Sequence, residues 1–170
     1  DQNGDFNPQN PSSPYYGYLT PMRKVSISAT YGGITYPMFS GFITSYTTTT
    51  PRNANDVVYT TINAVDATRL AQNAQISTVT GATAGDLSGT RINQILNTIE
   101  WPASMRDVDA GLTTLQADPG TARTALAALQ TATNSEYGAI YVDASGSWTF
   151  QDRTVTVASV AATPVVFNDN

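Results

Sequence analysis

The stretch SGTRINQILNTIEWPASMRDVDAGLTTLQADPGTARTALAALQTATNSEYGAIYVDASGSWTFQDR, residues 88–153, decides the fold. Ile92, Ile95, Leu96 and Ile99 stand at i, i+3, i+4 and i+7, one apolar stripe on a helix. Ser88 is placed as the N-cap, so Ser88→Ala is expected to cost roughly 0.5–2 kcal/mol. Trp101-Pro102 ends the helix, because the residue before a proline is pushed out of the α region. An extended or turning link over 105–115 carries Arg106-Asp107-Val108-Asp109. Asp118-Pro119 predicts a second helix start, an acidic cap before a proline at the first helical position. Ala122, Leu126, Leu129 and Ala132, with Ala125 beside them, form its expected buried face. Gly138 closes it, and 139–142 with 148–150 read as a hairpin around Asp143-Ala144-Ser145-Gly146.

Upstream, the pattern changes period. Residues 1–20 hold Pro8, Pro11 and Pro14 and read as an irregular arm, since proline lacks the helix donor. Asp1, Asn3 and Asp5 alternate like calcium ligands, but no glutamate follows at EF-hand spacing, so a turn is the reading. Val25, Ile27 and Ala29 alternate with Lys24, Ser26, Ser28 and Thr30, a half-buried strand. Gly32-Gly33 suits a tight turn. A return strand over 34–47 is interrupted at Pro37 and Gly41, which predicts an edge or a bulge. A third strand over 56–65 carries apolar groups on both faces and is expected to be central. Asp66 is read as the cap of a short helix with Ala67, Leu70, Ala71 and Ala74 inward. Strands first, helices in the middle and strands again predict an α+β fold. The expectation is an antiparallel sheet or barrel from the terminal strands, with helices inserted over about 66–135. Residues 21–170 are expected to form a single domain behind the arm. Val155, Val157, Val160 and residues 165–167 hint at further strand.

Composition limits the chemistry. Charged residues are 12% of the 170, with one lysine, Lys24, and seven scattered arginines. A net charge of −5 argues against a nucleic-acid partner, which would draw on clustered cations. With no Cys and no His, disulfides, thiolate zinc sites and His-based triads are excluded. No cofactor or metal is expected. No apolar run approaches the ~20 residues of a membrane span, so no stable membrane insertion is expected.

What remains is carboxylates and aromatics. Glu100, Asp107, Asp109 and Glu136 are the acids available for glycan hydrolysis. Arg106 is adjacent to Asp107, and Arg91, Arg123 and Arg153 are at hand, so ion pairs explain the acids better than catalysis. Arg106, Asp107, Asp109 and Arg153 are the structural ion-pair candidates, with Arg153 reaching Asp107 or Asp109. Tyr15, Tyr16, Tyr18, Trp101 and Trp148 are the interface candidates, because aromatics with a polar tip suit half-dry surfaces.

Six segments together resemble the minor tail proteins of long-tailed (siphovirus-type) bacteriophages, especially those of actinobacteria. They are Asn10-Pro11-Ser12-Ser13-Pro14-Tyr15-Tyr16, Tyr36-Pro37-Met38-Phe39-Ser40-Gly41-Phe42-Ile43, Ala64-Val65-Asp66-Ala67, Ser88-Gly89-Thr90-Arg91-Ile92 with Trp101-Pro102, Arg106-Asp107-Val108-Asp109-Ala110-Gly111, and Tyr141-Val142-Asp143 through Phe150-Gln151-Asp152-Arg153. The resemblance implies a structural, non-enzymatic virion protein of the tail tip. It implies a hub ring linking tail tube and tip, a homo-oligomer (a trimer first, a hexamer second). Its partners would be distal tail, tape-measure and fibre proteins, and this chain would be a segment of a longer tail protein. The alternatives are a receptor- or carbohydrate-binding module using Trp101 or Trp148, and a tail-associated wall hydrolase using Asp107 and Asp109.

Overall fold

The computed structural model describes residues 3–49 and 59–155. The expected strand segments at 56–58 and 156–170 lie outside the described residues. The described residues form a mixed α+β fold with no closed barrel among them. The expected single domain over 21–170 groups into two compact units, Asp1–Arg69 with Ala144–Gly146, and Leu70–Asp143 with Ser147–Asn170.

In the first unit the arm is a run of turns. Asn7, Asn10, Ser13 and Tyr16 each donate a backbone N–H to the carbonyl three residues back. Ser13 Oγ is buried and donates to the Asp5 carbonyl, and Asn10 Nδ2 donates to the carbonyls of Asn3 and Gly4. Phe6 stacks on Tyr15, and Arg23 lies over the Tyr18 ring.

The arm leads into β1 (Lys24–Tyr31), β2 (Ile34–Thr49) and β3 (Tyr59–Val65), an antiparallel sheet in the order β1-β2-β3. The register shifts where Ile27 pairs Phe39 but Ser28 pairs Pro37, leaving Met38 as the extra residue. Of the two expectations for this strand the bulge holds, beside Pro37, which has no N–H for the ladder, while the edge position does not, since β2 is the middle strand. Gly41 is needed for close approach, since a Cβ there would lie 2.4 Å from the Val65 carbonyl oxygen. Among the described residues β3 is an edge, not the central strand expected. Asp66 Oδ1 accepts from the Arg69 amide at 3.4 Å and opens α1 (Ala67–Asn73).

The second unit starts with β4 (Gln75–Ile76), α2 (Ser88–Thr98) and β5 (Arg106–Val108), then β6 (Arg123–Thr124), α3 (Ala125–Glu136), β7 (Ala139–Val142) and β8 (Trp148–Gln151). β4 pairs β6, and β8 lies between β5 and β7. β5 runs parallel to β8, so this sheet is mixed and not purely antiparallel. The expectation that the N- and C-terminal strands share one sheet is corrected: they form separate sheets, and β8 is paired to the link between the helices. A central strand is covered on both faces, and Trp148, Thr149 and Phe150 are all buried.

α2 has most of the predicted stripe, with Ile92, Ile95 and Leu96 in the core against α3, while Ile99 falls at the C-cap and is only half-buried. Its stop has a clear geometry. Glu100 takes a left-handed φ of 56°, and the Trp101 amide reaches back to the Leu96 carbonyl at 2.9 Å. α3 departs from expectation. Asp118-Pro119 does not start it. Thr124 does, with its Oγ1 accepting from the Ala127 amide at 3.1 Å. The buried face is Ala125, Ala128, Leu129 and Ala132, while Leu126 is only half-buried and Ala122 is exposed. Leu129→Ala should therefore cost about 2–5 kcal/mol and Leu126→Ala clearly less. Urea denaturation of both variants checks this, and equal losses would refute the assigned face.

Among the described residues, no helix is long and apolar enough to cross a membrane.

Candidate functional site

Two features stand out, one in each unit. The first is the β1–β3 sheet. Cross-strand partners share a face. Ile27 lies opposite Phe39, Ala29 opposite Tyr36 and Tyr31 opposite Ile34. Further along the same face, Ala64 lies opposite Ile43 and Ile62 opposite Tyr46. The other face pairs Ser26 with Ser40, Thr30 with Thr35, Ser45 with Asn63 and Thr47 with Thr61. Thr30 and Thr35 share a hydroxyl hydrogen bond of 3.0 Å, and Asn63 donates to Ser45 Oγ at 3.0 Å. The sheet is thus amphipathic toward its hairpin end as the alternation predicts, while Phe42 and Val65 pair on the otherwise polar face. Its hairpin end is not half-buried as expected, although Ile43 further along the same face is buried. Tyr31 is 83% exposed, Ile34 57%, Ile27 53% and Tyr36 48%. A two-faced sheet of three strands gains its stability from covering its apolar face, and contiguous exposed apolar surface marks interaction sites.

The second feature is a polar centre around Glu136. This side chain is fully buried at the last position of α3. Its Oε2 accepts from the Ser88 hydroxyl at 2.8 Å, the Leu112 amide at 3.0 Å and the Thr113 amide at 2.6 Å. Arg153 Nε stands 3.6 Å from Oε1, which has no hydrogen bond among the described residues. A carboxylate at a helix C-terminus faces the negative end of its own dipole. The first turn of α2, where Ser88 sits, offers the opposite sign. Burial pushes the Glu136 carboxyl up, but the Thr113 amide, the Ser88 hydroxyl and the Leu112 amide outweigh it. The group is held below the ordinary glutamate value.

The link over 105–115 is strapped to the entrance of α2. Ser88 donates its N–H to the Thr113 carbonyl, and Gly89 donates to that of Ala110, both at 3.0 Å. The contact leaves no room for side chains. A Cβ on Gly89 would lie 1.8 Å from the Asp109 carbonyl oxygen, and one on Gly111 would lie 1.8 Å from Ser88 Oγ.

These contacts revise the expected ion pairs. Arg153 meets Glu136, not Asp107 or Asp109. Asp109 Oδ2 instead accepts the Asp152 amide at 3.0 Å and its own N–H donates to the Phe150 carbonyl at 3.1 Å, so the link is still tied to the closing hairpin, but not by an ion pair. Asp107 is exposed, and its carboxylate makes no hydrogen bond or ion pair among the described residues. Arg106 makes no ion pair there either. It caps the end of α2, donating to Asn97 Oδ1 at 2.7 Å and to the Asn93 and Trp101 carbonyls. Burial lowers its pKa from the ordinary arginine value. Ser88 is likewise not a cap: its hydroxyl serves Glu136, and α2 starts without a side-chain cap. Glu136 was visible beforehand only as one of four acids.

Tyr15, Tyr16 and Tyr18 are exposed. Trp101 is half-buried, with its indole N–H on the Met105 carbonyl. Trp148 is only 1% exposed. Its expected interface role is corrected to a core role, and it cannot serve as a sugar-stacking platform in this fold. Compared with protein-family models, curated proteins and solved structures, the chain gives no match.

Proposed function

We propose that this chain is a structural component of a bacteriophage tail tip, a minor tail or baseplate hub protein that assembles into a ring linking tail tube and tip. The carrying observation is the amphipathic β1–β3 sheet, whose apolar face is left open around Ile27, Tyr31, Ile34 and Tyr36. Such a face favours association. Identical copies meeting through repeated contacts related by rotation close a ring, and the resemblance to minor tail proteins favours a trimer over a hexamer. The polar centre at Glu136 holds the shape of each copy. The ordered resemblance of six segments to minor tail proteins supplies the setting, with distal tail, tape-measure and fibre proteins as neighbours. Low charge suits walls past which DNA must slide, because few cations are present to hold phosphates.

Native mass spectrometry and sedimentation test this reading. The parent chain should populate a discrete oligomer that Ile34→Lys and Tyr31→Asp reduce to monomer, with circular dichroism unchanged because both positions are exposed. Labelled protein should be found in the tips of intact tails by electron microscopy. A monomer at every concentration, absent from mature particles, would sink it.

A further inference from the structure

A cavity of about 390 Å³ opens in the second unit between α2, α3 and the 115–123 segment. Its apolar part is Ile95, Leu115, Ala128 and Ala132, and its polar part includes Arg91, Arg123 and Asp118. Thr131 and Ser135, both exposed, stand at the rim. The volume suits one or two amino-acid residues, at the small end of ligand sites.

The donors and acceptors are unevenly used. Arg91 is 6% exposed. Its Nε donates to Gln94 Oε1, and its Nη2 to the Thr83 and Gln116 carbonyls and to Asp86. Nη1 has no hydrogen-bond partner among the described residues. Arg123 donates through Nη1 to Thr121 and through Nη2 to Asp118, leaving Nε open. Arg91 is already paired with Asp86 and Arg123 with Asp118, and each keeps one further N–H for an acceptor, for which a second carboxylate offers the strongest, charge-assisted bond. The rim has the opposite need. The Thr131 hydroxyl donates to the Ala127 carbonyl at 2.9 Å and that of Ser135 to the Thr131 carbonyl at 2.9 Å. Both hydroxyls can therefore only accept, and they suit an N–H on the ligand.

From this we infer that the cavity is a binding site for the C-terminal residue of a polypeptide ending in an aliphatic side chain. The carboxylate faces Arg91 and Arg123, the amide N–H faces the rim hydroxyls, and the side chain fills the apolar floor. This is independent of the tail-tip reading.

The probe is N-acetyl-leucine, titrated into the full chain with amide chemical shifts as readout. Saturable shifts are expected at residues lining the cavity. N-acetyl-leucinamide, which lacks the carboxylate, should bind at least about tenfold more weakly, the usual scale for a charge-assisted hydrogen bond. 4-Methylpentanoate, which lacks the N–H, should also bind more weakly. Thr131→Phe should plug the mouth and abolish the shifts. Ser135→Phe is a second plug should the first perturb folding. No saturable binding, equal binding of acid and amide, or binding that survives both plugs would overturn the site. Equal binding of N-acetyl-leucine and 4-methylpentanoate would overturn the chain-terminus assignment.

Discussion

Glu136→Ala should destabilise the second unit by about 3–5 kcal/mol, the scale for removing one partner from a buried, hydrogen-bonded charge centre. The substitution strands two backbone donors, at Leu112 and Thr113, and the Ser88 hydroxyl. Each then keeps its desolvation cost without its acceptor. Glu136→Gln is the informative contrast. Its amide oxygen can still accept in place of Oε2, so the loss should fall to about 1–2 kcal/mol. Arg153→Ala should change little, because Arg153 is largely exposed and 3.6 Å away. Urea denaturation followed by tryptophan fluorescence gives these values, since Trp148 is buried in the same unit. Acid adds a second readout. The folded pKa of Glu136 lies below its ordinary value of 4.5. Its contribution is complete above that value and is lost as pH falls through the folded pKa. Glu136→Gln should therefore flatten the acid limb of the stability profile. Should parent and variant lose stability in parallel below pH 4.5, other depressed carboxylates, such as Asp86 at about 2, carry the acid sensitivity and the Glu136 assignment fails.

What could be read in advance was local. The α2 stripe and its Trp-Pro stop, the turn at Gly32-Gly33, the bulge beside Pro37 and the hairpin of β7 and β8 depend on neighbouring residues. Sequence spacing contains those. The misreadings share the opposite cause. Asp118-Pro119 is a sound helix start until Arg123 claims the carboxylate and the Gly120 amide donates to it. The chain then spends Arg123 and Thr124 on a bridge to β4, and the helix waits for Thr124 to cap it. Ser88 looks like a cap until a glutamate 48 residues away takes its hydroxyl. In each case a distant partner outbids a local signal. The sheet teaches a different limit. Alternation says which face is apolar and fixes register, but it does not say what covers that face. At the hairpin end of β1 and β2, around Ile27, Tyr31, Ile34 and Tyr36, the described residues leave it open, whereas Ile43 further along is buried.

Gly89→Ala sets two rules against each other. Gly89 lies within α2, where alanine is favoured over glycine by about 1 kcal/mol, so propensity alone forecasts a more stable protein. Packing forecasts the reverse. The new Cβ would stand 1.8 Å from the Asp109 carbonyl oxygen and 2.7 Å from that of Ala110, whereas ordinary contact begins near 3.4 Å. Both obstacles are backbone, so no rotamer change relieves them. The link has to retreat from the helix, and retreat lengthens the bond from the Gly89 amide to Ala110 and draws the Leu112 and Thr113 amides off Glu136. Three structural losses follow from one methyl group, so the net cost should be about 4 kcal/mol or more, the class of effect reserved for core disruption. Thr90→Ala, at the exposed neighbouring position, should stay within about 0.5 kcal/mol. Thermal and urea unfolding of the pair decides between the rules. A Gly89→Ala protein as stable as its parent would mean that the link does not press on α2. The Ser88-Gly89 and Asp109-Ala110-Gly111 segments would then lose the interlock that accounts for their residue types.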